Sequence, residues 1–184
     1  MEIISNSLEI TGYTVKIWER EAFHIVGYTL IVPPGRKGAG MIPKFWDEVA
    51  ADGRLAKLTN AEPTRPWLLG LGSWDPECEP HGQRYTICIE QTPHTDLLSL
   101  APDPQFYTTE ISDTAWMCFE LTEKQFLERF WRDNPYKMMV KLGYAFNTAG
   151  FNTGLHFDVY PPEFDRETNP NMQFWITVVK KEQE

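Results

Sequence analysis

The Phe-Trp pair at Phe45-Trp46 is echoed at Phe130-Trp131, and "WDPE" (Trp74 to Glu77) is matched by "YPPE" (Tyr160 to Glu163). The two offsets, 85 residues from 45 to 130 and 86 from 74 to 160, agree in register. Matches that recur at one spacing inside equivalent elements point to internal duplication, and a duplicated chain must build one unit twice and pack the copies together.

The elements around the matches fit that reading. "YTVKIW" and then "FHIVGYTLIV" (Phe23 to Val32), rich in β-branched and aromatic residues and ended by Pro33-Pro34-Gly35, read as strands. "IPKFWDEVAADGRLAKL" places Ile42, Phe45, Trp46, Val49 and Ala50 on one helical face and ends near Gly53. "WLLGLGSW" and "YTICIEQ" supply two more strands. In the second half, "FYTTEIS" and "AWMCFEL" are strand material with a bend at Ser112-Asp113. "TEKQFLERFW" is a helix with Thr122 and Gln125 in capping-box positions, broken at Pro135, after which "YKMMVKLGYAF" gives another helical turn or two. "LHFDVY" and "MQFWITVVKK" close this half as strands.

The expected fold is α+β, one domain over 1–184 with halves at about 15–95 and 105–181. Duplicated βαββ units form a curved antiparallel sheet with helices on one face and a central cleft, expected on the other face. Strand alternation sends Phe157 and Val159 one way and Asp158 and Tyr160 the other, with Gly72 and Trp74 in the matching places of the first half. With helices over Phe157 and Val159, the acid faces the groove. An ionised carboxylate among bulky apolar residues costs several kcal/mol unless it is paired or reaches the surface.

Charge narrows the partners. Twenty-six acidic residues against 17 basic ones, a formal net charge of -9, work against a phosphate backbone and favour cationic ligands. Cys78, Cys88 and Cys118 are no disulfide framework, and no basic-then-apolar leader or long apolar window is present, so the expectation is a cytoplasmic protein that does not enter membranes. "CEPH" (Cys78 to His81) lacks a second ligand pair and "PPGRKGAG" lacks the P-loop ending, so neither a metal nor a cofactor is expected.

"FHIVGY", "IPKFWDEV", "YTICIEQ", "FDVY" and "FWITVV", in this order from about Val15 to Lys181, resemble the GyrI-like or AraC-type effector-binding domain of multidrug-responsive transcription activators. The resemblance implies a cleft that takes amphipathic, often cationic, small molecules between aromatic walls, with a buried acid as counter-charge. The family's acid falls on Asp158, where Glu is usual, and its pocket tyrosine on Tyr160. The residues before Tyr13 are too few for a helix-turn-helix, so no DNA-binding module is expected.

The candidate ligand-binding residues are Asp158, Tyr160, Trp74, Trp46, Glu90, Tyr28 and Trp116. Aromatic rings around a cation contribute about 0.5–2 kcal/mol. Against these stand plainer readings: a solvent-facing acid paired with Arg166, an edge charge at Glu90, and Trp46 and Trp131 as core. Binding without catalysis is the leading expectation. The alternatives are a hydrolase of strained or electrophilic xenobiotics such as cyclopropane-containing alkylators, using Asp158 or Glu90, and a module that contacts a protein partner such as gyrase or a regulator.

Overall fold

The computed structural model describes residues 2–3, 7–35, 38, 40–64, 66–74, 78, 82–147 and 153–181. The imidazole of "CEPH", the last three residues of "WDPE" and the Gly/Asn-rich stretch 148–152 lie outside the described residues. The strands are β1 (Glu2–Ile3), β2 (Leu8–Ile10), β3 (Tyr13–Arg20), β4 (Phe23–Val32), β5 (Leu68–Trp74), β6 (Gln83–Glu90), β7 (Phe106–Ile111), β8 (Thr114–Thr122), β9 (Tyr144–Phe146), β10 (Thr153–Tyr160) and β11 (Asn171–Lys180). They pair into one sheet in the order β1-β3-β8-β11-β10-β5-β6-β4-β7, with β2 on β3 and β9 on β11.

The helices are α1 (Met41–Ala51), α2 (Arg54–Asn60), α3 (Leu97–Leu100), α4 and α5 (Pro135–Lys141). Three consecutive pieces make up α4: Glu123–Gln125, a π-helical Phe126–Phe130 and Trp131–Asp133. Thr122 accepts the Gln125 backbone N–H and Gln125 reaches back to Thr122, the expected capping box. Gly53, at φ +85°, ends α1 and lets α2 start at once in a new direction.

Two βαββ units are present, β4-α1-β5-β6 and β8-α4-β10-β11, and they meet where β5 pairs with β10. Five strands separate β3 from β4 in the pairing order, yet only Glu21 and Ala22 join them. In a flat sheet that separation is about 29 Å, beyond the roughly 11 Å span of three peptide steps. The sheet therefore curls. Arg20 on β3 consequently reaches Glu90 on β6, and the Phe23 ring on β4 lies 6.2 Å from Phe157 on β10.

Burial separates the faces. Phe45, Val49 and Leu58 from α1 and α2 cover Val26, Ile87 and Ile89. Phe130, Met138 and Met139 from α4 and α5 cover Ile17, Phe119 and Phe174. Among the described residues the concave face carries no helix, and it packs on itself through Leu69, Leu71, Trp116, Phe157, Val159 and Trp175. This corrects the expectation that helices cover Phe157 and Val159: they lie over the Asp158 face. Alternation along a strand separates two faces without saying which one the helices take.

Candidate functional site

Between α1 and α4 the helices leave an open cleft of about 530 Å³ over the β5–β10 junction. Its floor exists because two glycines stand where side chains would block it. In the register, Gly70 opposes Asp158 and Gly72 opposes His156. A Cβ on Gly70 would lie 2.2 Å from the Tyr85 hydroxyl and 3.3 Å from Asp158 Oδ2, and one on Gly72 would lie 2.2 Å from the His156 ring. The glycines thus leave room for an acid and an imidazole on adjacent rungs.

Asp158 is buried, and Tyr85 donates to its Oδ2 at 3.0 Å. Trp46 on α1 donates its indole N–H to the Tyr85 hydroxyl at 2.9 Å, which orients Tyr85 toward the acid. Tyr160 packs edge-on against Trp46, ring centroids 5.4 Å apart. Asp158 Oδ1 has no hydrogen-bond partner among the described residues. Among the described residues no Lys or Arg pairs with this carboxylate; Arg166, the plainer partner, instead bonds Glu123 at 2.8 Å. Burial pushes the Asp158 carboxyl up to about 7, offset in part by the Tyr85 hydrogen bond. Burial, and then the nearby Asp158 charge, push Tyr85 and Tyr160 well above the ordinary tyrosine range.

The matching half of the sheet surface is built differently. Gly72 opposes Tyr85 and, in the matching strand pair, Asp158 opposes Phe174, so Tyr85 and Phe174 are counterparts in the duplication. His156 stacks on Phe174 at 5.3 Å and meets the edge of Trp131, the counterpart of Trp46, at 6.3 Å. Burial pushes its imidazole down to about 4. One half therefore presents hydroxyl and carboxyl to the cleft, while the other packs rings around a neutral imidazole outside the cleft lining.

Of the residues proposed from the sequence, Asp158, Tyr160 and Trp46 come together here, while Trp74, Glu90, Tyr28 and Trp116 are not in the lining. Trp74 is half exposed at the end of β5. Tyr28 is buried beneath Arg54, whose guanidinium lies 5.5 Å from its ring. Glu90 and Trp116 belong to the concave side. Sequence reading missed Tyr85, which in "YTICIEQ" shares a face with Ile87 and Ile89 and reads as core. The glycines of "LGLGSW" were the available signal.

A family profile described as a GyrI-like small molecule binding domain matches residues 13–178. The chain belongs to this family. Solved structures show the same fold. One is SAV2435 with tetraphenylphosphonium bound, 16% identical with a TM-score of 0.70, matched over 90% of this chain and 93% of that one. Another is a bacterial transcription regulation protein from Staphylococcus aureus, 16% identical, TM-score 0.65, over 89% and 97%. A Vibrio cholerae integron cassette protein is 15% identical, TM-score 0.55, over 90% and 95%. No curated protein sequence matches significantly. Among the described residues of this GyrI-like domain, no acid, thiol and imidazole cluster could hold a metal ion, and no helix is long and apolar enough to cross a membrane.

Proposed function

We propose that this GyrI-like domain, one domain in two halves, binds an amphipathic organic cation between α1 and α4, with Asp158 as counter-charge. The carrying observation is the buried carboxyl whose Oδ1 finds no partner, and which no cation pairs, among the described residues. A low-dielectric cleft strengthens an ion pair formed there, so an arriving cation favours the ionised acid and supplies what the protein leaves out. Trp46, Tyr160 and Phe126 line the same cleft and offer ring faces to an apolar body. SAV2435, on the same fold, holds tetraphenylphosphonium, a hydrophobic cation of this class. Three buried cysteines suit a reducing cytoplasm, and the acidic charge disfavours direct contact with nucleic acid or anionic membranes.

Calorimetric titration of tetraphenylphosphonium into the wild type and Asp158→Asn tests the reading. The expected result is at least a tenfold loss of affinity in the variant; equal affinities overturn the counter-ion role. One observation favours a second reading. A carboxyl titrating near 7 with a free oxygen suits a general acid, so the cleft could open strained or electrophilic ligands. Product formed from cyclopropane-containing alkylators by the wild type, and not by Asp158→Asn, would bring hydrolysis forward.

A further inference from the structure

The curl of the sheet leaves a second hollow, on the concave face and away from the helices. Its volume is about 670 Å³, within the range of small-molecule sites, and it opens at the mouth of a curved sheet, where ligands commonly sit. Trp18, Phe23, Trp67, Leu69 and Trp175 form its apolar walls. Trp18 stands edge-on to Trp175 at 5.0 Å, and Trp67 lies 6.4 Å from Trp175 at an interplanar angle of 43°. Trp67 keeps 41% of its surface exposed, so part of this side of the hollow is open to a ligand.

We propose that this hollow is a second ligand site, distinct from the cleft that holds Asp158, and that it takes a flat aromatic cation lying against Trp67 and Trp175. Charge and ring chemistry support it. The described walls carry Glu21, Glu62 and Glu90 against the one guanidinium of Arg20, which is already committed to Glu90 and to the face of Phe23 at 3.7 Å. Glu62 is held ionised by hydrogen bonds from Thr64, Thr92 and Thr95. On the far side of Trp67 a neighbouring depression adds Glu120, paired with Lys16, and Glu163, so the exposed indole stands in a field that favours positive charge. Trp18, nine-tenths buried in the wall, keeps an indole N–H with no acceptor among the described residues, so the wall holds a donor that the fold leaves unsatisfied. Stacking a flat cation on tryptophan uses the strongest of the aromatic faces.

Berberine, a flat cation with ether oxygens, is a suitable probe. Fluorescence titration of the Asp158→Asn protein, in which the helix-side counter-charge is gone, is expected to retain one equivalent of berberine. Adding Trp67→Ala should weaken that binding at least tenfold, and adding Glu90→Gln should weaken it several-fold. In the wild-type background, Trp67→Ala should leave tetraphenylphosphonium affinity unchanged, which separates this site from the helix-side cleft. Absence of berberine binding in Asp158→Asn, or binding indifferent to Trp67→Ala, overturns the second site while leaving the first reading to its own test.

Discussion

Burial lifts the Asp158 carboxyl from 3.8 to about 7, a penalty of roughly 4 kcal/mol once the group is ionised. The unfolded chain releases this proton near 3.8 and the folded chain near 7. Between those values the folded state binds more protons, so stability falls as pH rises. The acid is compatible with the fold below pH 4, and its full penalty is felt above 7. Asp158→Asn keeps the shape without the charge. Urea unfolding should therefore find variant and wild type similar at pH 4 and the variant more stable by about 1–3 kcal/mol at pH 8; a wild type equally stable at pH 8 would contradict a buried, unpaired acid. The same linkage makes cation affinity rise with pH up to about 7 and level off beyond. That Asp158 is unusual was legible from one charge inside "FDVYPPEF". That Tyr85 bonds it was not, because the contact depends on how β6, β5 and β10 align, and one sequence does not fix strand register.

At the scale of elements, strong local signals were read well. The strand "FHIVGYTLIV" is β4 to the residue, and Thr122 with Gln125 caps α4 as expected. Thr122→Ala removes the acceptor for the Gln125 N–H, and a loss of about 1 kcal/mol in denaturant unfolding is expected. No measurable loss would mean that packing of Phe130 alone holds the helix start. Sequence reading did not show the π-helical turn at Phe126–Phe130 or the short strand β9. A π turn leaves no periodic signature in five residues, and Tyr144 to Phe146 becomes a strand only because β11 offers a partner edge at Val178 to Lys180. The helix ending near Gly53 was read correctly, but its restart as α2 was not, since the Leu55 to Leu58 stretch continues the same apolar pattern past the break.

For the whole molecule, duplication was the most informative signal, yet it left the placement of the faces open. Two βαββ copies can be sketched from the Phe-Trp repeat, but two-residue links at Glu21-Ala22 and Ser112-Asp113 impose the curl that makes a cleft on one side and a hollow on the other. Hydrogen exchange can locate a ligand between them. Tetraphenylphosphonium held at Asp158 touches the α1 and α4 walls, so amides of Met41–Ala51, Glu123–Gln125 and Phe126–Phe130 should gain protection, and those of β3 and β7 should be unchanged. The helices are the sensitive reporters, because each packs on the sheet along one face and borders the cleft with the other, whereas the central strands are already protected on both sides. Protection confined to Tyr13–Arg20 and the Pro66-Trp67 segment would instead place the cation in the hollow of the sheet and take the counter-ion role away from Asp158.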